Sequence, residues 1–306
     1  MKSKIKNFAL LSKTAFKNWW AKEPFRESAI IAYYSIFSLP GLLVVIITVA
    51  GYFFGNEAVS EHLNSQIKST MGAETSEQIQ QIISKASETK KSVVASILGI
   101  ITILVGATGV FAQFQKILNS IWEVKADKSK SGILTMLRVR LFSFGLILSI
   151  AFILIASLVI SAVLASLGKW VTGNFPDSLI ILIQILNIIL SIGILTFLFA
   201  LMFKFFPDAK IKWNQVWLGS LVTAILFELG KYGLSLYFGK ADPGGGYGPA
   251  GSIILILLWV SYSSMIVFFG AEFTHADAVK QDGVIPPNKY AVKVEGAKEK
   301  DDAAVE

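Results

Sequence analysis

"GSIILILLWVSYSSMIVFFGA", residues 251–271, decides the fold. Its 21 residues include no charged side chain. Roughly 20 consecutive apolar residues are enough for a helix to cross the hydrocarbon core of a bilayer. Five other stretches qualify: 29–54, 93–111, 141–167, 178–203 and 216–238. The whole chain follows suit, with 54% hydrophobic residues, 16% charged residues and a mean hydropathy of +0.61. Soluble domains carry about 25% charged residues. Six buried helices in a soluble protein of 306 residues would leave too little polar sequence to cover them. The expected architecture is therefore all-α: a polytopic membrane protein with six transmembrane helices.

Lysines and arginines set the orientation. Twenty-one lie in the N-terminal segment, the second and fourth connections and the tail, against six on the other side. This ratio predicts cytoplasmic N and C termini. The net charge of +7 is accordingly a topology signal. No arginine-rich stripe accompanies it, and nucleic acid is not an expected partner. The absence of cysteine excludes disulfides and thiolate chemistry. The charged N-terminus, followed by an overlong apolar run, does not read as a cleavable signal peptide.

Three regions follow: an interfacial amphipathic segment (1–28), a six-span membrane domain (29–277) and a flexible cytoplasmic tail (278–306). In the first, Ile5, Phe8, Phe16, Trp19 and Trp20 recur near one face, with Lys6, Lys13 and Lys17 opposite. Such a helix either lies on anionic headgroups of the inner leaflet or packs on the end of the bundle. Pro40 is expected to kink or break the first span, with Ser35 and Ser38 serving the freed carbonyls. The connection 55–92 predicts one or two short helices outside the membrane, with Thr75 and Gln78 at capping-box spacing. An apolar stripe of Ile79, Ile82, Ile83 and Ala86 follows it. Gly99, Gly106 and Gln113, with Thr102 and Gly109 near the same face, mark the second span as an inner helix.

The fourth and fifth spans carry polar residues that lipid disfavours. Gln184, Asn187 and Ser191 share one face of the fourth. On the fifth, Lys231, Ser235 and Glu228 all fall within about 80° of Ser220, with Thr223 close by. Glu228 and Lys231 are neighbours on the helix surface and can pair. Intramembrane ionisable residues mark a pathway or a ligand counter-ion, or else a structural ion pair. Glu228, Lys231, Ser235, Gln184 and Asn187 thus form the candidate intramembrane site. The connection "GKADPGGGYGPAGS" either moves or lets backbone approach closely.

No catalytic motif is present. The two histidines, His62 and His275, fall on opposite sides of the membrane. No metal-ligand set, phosphate cradle or nucleophile signature appears, so neither metal nor cofactor is expected. Glu272, near the end of the sixth helix, sits unfavourably for the helix dipole. A basic partner such as Lys204, Lys116 or Arg138 is expected for it, as a clasp rather than a ligand contact.

Several segments resemble the YihY/virulence-factor BrkB family of bacterial inner-membrane proteins. These are "AYYSIFSLPG" (Ala32–Gly41, with Tyr33, Tyr34 and Pro40), "GVFAQFQKILNSIWEV" (Gly109–Val124), and the last two spans. Within the latter, Tyr247, Gly248, Gly251, Ser252, Trp259, Tyr262, Gly270, Ala271 and Glu272 carry the likeness, which covers roughly Phe16–Asp277. The resemblance implies a multi-pass protein of the bacterial plasma membrane with six spans. It implies no settled activity; an old ribonuclease label on the family finds no support in this chain's acids and histidines. The leading expectation is a transporter or exporter of lipid or solute, with membrane lipids as partners. A non-transporting envelope scaffold or assembly factor is the alternative, and a membrane-embedded enzyme the least favoured. A second copy of the chain, in a homo-oligomer, is among the partners considered.

Overall fold

The computed structural model describes residues 2–88, 109–127, 177–241 and 243–294. The runs at 141–167 and most of 93–111, with Gly99, Thr102, Gly106 and Arg138, lie outside the described residues. The elements in chain order are α1 (Lys2–Ala21), α2 (Pro24–Phe54), α3 (Asn56–Met71), α4 (Ala73–Glu88), a helix α5 at 109–121, and β1 (Val124–Ala126). Then come α6 (Asp177–Phe205), α7 (Trp213–Ala241), a 3₁₀ turn (Gly245–Ala250), α8 (Gly251–Asp282) and β2 (Ala291–Lys293). Three helices among the described residues are long and apolar enough to cross a membrane: α7, α8 and, within α6, Ile188–Phe205.

The α7 helix shows why this sequence suits lipid. Its buried positions are mostly small or polar: Gln215, Val216, Gly219, Ser220, Thr223, Ala224, Gly230 and Leu234. Its exposed face is large and apolar, with Leu218, Leu221, Ile225, Leu229, Tyr232 and Leu236. A water-soluble helix does the reverse. In lipid, small residues gain close packing while large ones are solvated by acyl chains.

The closest packing joins α7 to α8. Thr223 Oγ1 donates to the Gly219 carbonyl at 2.6 Å, and Thr274 Oγ1 donates to the Gly270 carbonyl at 2.7 Å. Each glycine faces the other helix's threonine. A β-carbon at Gly219 would collide with Thr274 Oγ1 and lie 2.8 Å from Thr274 Cα; one at Gly270 would collide with Thr223 Oγ1. Two G-x-x-x-T motifs thus interlock across antiparallel helices. Gly230 continues the seam against Tyr262 and Ile266.

The α8 helix is the axis of the described bundle, touching α1, α2, α4 and α7. Its first turn meets α4, where Ser252 hydrogen-bonds Gln78. Its last turns meet α1, where Phe8 packs on Phe273 and the Trp19 and Phe269 rings meet edge-to-face. Ser252 and Glu272 are 20 residues apart. At 1.5 Å per residue that is about 30 Å, the thickness of a hydrocarbon core.

Several expectations change. The α2 helix runs unbroken through Pro40; Ser38 Oγ donates to the Ser35 carbonyl at 3.2 Å within that turn. The Thr75–Gln78 capping box is absent, because α4 begins at Ala73, after Gly72 at φ 92°. Thr75 is instead buried inside the helix. The two readings of α1 combine: Ala15 and Trp19 dock on α8, while Phe8, Leu10, Phe16 and Trp20 stay exposed. In the glycine connection the close approach is realised: Gly244 packs backbone to backbone on Gly251, leaving no room for a side chain at Gly251.

The expected flexible tail is docked over much of its length. Its first residues finish α8, and β2 pairs antiparallel with β1, Ala291 opposite Ala126. Lys210 N–H donates to the Pro286 carbonyl at 2.8 Å, and Asn288 N–H to the Asp208 carbonyl at 2.8 Å. Residues 283–294 therefore strap the connection between α6 and α7 to the end of α5. Residues 295–306 lie outside the described residues.

Candidate functional site

Glu228 and Lys231 project from the middle part of α7, each at least about 15 Å from either end at 1.5 Å per residue. One helical turn separates them, and Lys231 Nζ lies 2.6 Å from Glu228 Oε2. The side chains are 18% and 34% exposed, respectively. They occupy the flank between the buried seam and the lipid-facing stripe, and Lys231 also lies over the Tyr232 ring at 5.5 Å. Beside them, Phe227 meets Phe199 of α6 and Trp259 of α8 edge-to-face.

The other predicted lining residues separate. Ser220 and Thr223 are fully buried in the α7–α8 seam, and Ser235 is half-buried one turn beyond Lys231. Gln184 and Asn187 fall on α6, which packs along α7, but their side chains lie outside those described.

A second ion pair sits at the α1 end of the bundle. Lys22 Nζ donates to Glu272 Oε1 at 2.6 Å and reaches the Ile121 carbonyl at 3.5 Å. Glu272 is 1% exposed. The expected partners Lys204, Lys116 and Arg138 are replaced by Lys22, 250 residues away in sequence. The reason is α1, which docks on α8 and carries its final turn over the carboxylate. Nearby, Gln113 donates to Glu27 at 3.2 Å, so the Gln113 face of α5 does turn inward.

Most residues that carried the family resemblance are packing positions. Gly109 lies under the Tyr34 ring, Trp259 packs on Phe227, Tyr262 on Gly230, and Gly270 on Thr223. Tyr33 is 60% exposed, stacked edge-to-face with Tyr34 and Phe37. Tyr247 is 62% exposed in the 3₁₀ turn, which also holds Gly248.

Asp208 was not anticipated. It joins α5 to the α6–α7 connection: Asn119 Nδ2 donates to its carboxylate at 2.8 Å, and its own N–H donates to Asn119 Oδ1 at 2.7 Å. Burial pushes its carboxyl above the ordinary range, and the Asn119 hydrogen bond opposes that shift. An acid preceded by "FFP" reads as a simple turn, and its partner is 89 residues distant. Among the described residues no group of three or more histidines, aspartates or glutamates is placed to hold a metal.

Comparison with known proteins adds a family. A model described as virulence factor BrkB matches residues 15–291. A UPF0761 membrane protein of Saccharophagus degradans is 26% identical over 84% of this chain and 57% of its own length. One from Albidiferax ferrireducens is 29% identical over 56% of this chain and 39% of its own. One from Cronobacter sakazakii is 30% identical over 80% of each. The chain thus spans about half of the first two relatives' length. No solved structure matches.

Proposed function

The chain belongs to the virulence factor BrkB family of membrane proteins, and on that premise we propose that it moves a lipid or other charged amphiphile across the bacterial plasma membrane. One observation carries the reading: an ion pair stands midway along a membrane-length helix and is not sealed in among the described residues. An unpaired charge at that depth is unfavourable by a few kcal/mol, and pairing compensates only part of it. A structural pair is best held as Lys22 and Glu272 are, with its carboxylate fully enclosed. Among the described residues the Glu228 carboxylate keeps an open side, which fits a zwitterionic headgroup or a proton relay. In this scheme Ser235, Gln184 and Asn187 orient the substrate, and six spans carry both termini in the cytoplasm.

The experiment compares lipids retained by wild type and by Glu228→Gln/Lys231→Met in native nanodiscs, identified by mass spectrometry. The expected result is selective enrichment of one envelope lipid in the wild type, lost in a variant of normal abundance. Bulk membrane lipid in both samples overturns lipid export through this site. If each single change lowers abundance and the double change restores it, the pair is structural, and the scaffold reading gains.

A further inference from the structure

A second polar feature lies apart from the Glu228–Lys231 pair and is argued independently of it. At the α1 end of the bundle, a cavity of about 730 Å³ opens between the α6–α7 connection and the 283–294 strap. That volume is in the range of ligand sites, roughly 300–1,000 Å³. Lys204, Lys210 and Lys212 all line it, and Asp282 is the only acid among the lining residues. The nearby Asp208 does not neutralise it, because its carboxylate turns to Asn119.

The three lysines differ in what holds them. Lys212 is paired with Asp282 at 2.9 Å, and Gln215 donates to the same oxygen at 2.7 Å. Lys204 gives one hydrogen to the Ile211 carbonyl at 2.7 Å, leaving two of its three donors to offer. Its ammonium stays over the rings of Trp213 and Phe205, at 5.2 and 5.6 Å. The Lys210 ammonium makes no ion pair among the described residues. The net excess is therefore two positive charges, with Phe205, Val284 and Ile285 as an apolar wall beside them.

Location favours one ligand class. Phe197, Trp217, Trp213 and Phe205 form a continuous ring contact along the exposed side of this end, at centroid distances of 6.4, 6.0 and 5.9 Å. Aromatics of this kind sit at headgroup depth. Lysine is a point-charge partner for phosphate. We propose that this cavity binds the phosphate of an anionic membrane lipid, with Lys204 and Lys210 as its contacts and the apolar wall against the glycerol. Free phosphate offers the same chemistry without the glycerol and chains.

Lys210 is exposed, so its substitution tests the site without disturbing the core. Full-length protein is delipidated in detergent and titrated with phosphatidylglycerol, phosphatidylcholine or inorganic phosphate under native mass spectrometry. The comparison uses wild type, Lys210→Glu and Lys210→Arg. Phosphatidylglycerol should bind wild type and Lys210→Arg alike. Binding should fall about five-fold or more in Lys210→Glu, since each surface lysine contributes about 1 kcal/mol towards anionic lipid. Phosphatidylcholine should bind weakly throughout. If inorganic phosphate competes at millimolar levels and phosphatidylglycerol gains nothing over it, the ligand is the free anion and the lipid assignment is overturned. Equal phosphatidylglycerol and phosphate binding by all three proteins overturns the site. Each outcome leaves the Glu228–Lys231 reading untouched.

Discussion

Lys22 and Glu272 show how differently two ion pairs in one chain behave. Glu228 and Lys231 are three residues apart on a helix, so their pairing follows from local geometry. Glu272 announces a need for a partner by its place near a helix C-terminus, but nothing local identifies Lys22. That choice depends on how α1 docks, which rests on Trp19, Phe8 and the shape of α8 together. A buried carboxylate that loses its cation is strongly destabilising, while replacing both partners with apolar groups is often neutral. Lys22→Met should therefore lower stability by about 2 kcal/mol, less than for a sealed pair because Lys22 is one-third exposed. Glu272→Gln should lower it less, since the amide oxygen still accepts from Lys22 without a buried charge. Lys22→Met/Glu272→Met should recover part of the loss. Unfolding midpoints in mixed detergent read this order, and a double variant worse than Lys22→Met would refute the clasp.

At the level of helices, composition revealed where the described elements lie but not how they meet. The runs beginning at residues 29, 178, 216 and 251 all fall within single helices. The seam between α7 and α8 was hidden because its residues admit two readings. Thr223 looks like pore lining and Gly270 like a family marker, yet they are halves of one contact. Only the distance between helices decides, and that is not a property of either sequence segment. Glycines on α7 separate the two cases. Gly219→Ala should destabilise by about 1–3 kcal/mol, because Thr274 Cα stands 2.8 Å from the new β-carbon and the helices must part. At Gly233 nothing lies within 4 Å, so Gly233→Ala should stabilise by about 0.5–1 kcal/mol through helix propensity alone. The same substitution on the same helix thus changes sign with position. Thermal unfolding of the two variants side by side measures it, and equal effects would refute the close packing of the seam.

Across the whole molecule, two polar ends are set about 30 Å apart along α8, with α3 and α4 at one and α1, the strap and the lysine cavity at the other. The strap escaped the sequence reading because its polar, proline-containing stretch buries little; its hydrogen bonds go to segments more than 70 residues away. The charge asymmetry was legible because it needs no contacts, only counting. Geometry and charge together make one prediction about sidedness. Residues at the α1 end should share a compartment, and the lysine excess predicts that it is the cytoplasm. The native chain has no cysteine, so single introduced thiols report without background. Glu61→Cys, exposed on α3, should react with a membrane-impermeant maleimide in intact cells. Lys280→Cys, exposed near the end of α8, should react only after permeabilisation. The reverse pattern would place the lysine cavity on the outer leaflet, where the charge rule gives no reason for it. Labelling of both in intact cells would mean that α8 does not cross the bilayer, removing the membrane depth on which the Glu228–Lys231 site depends.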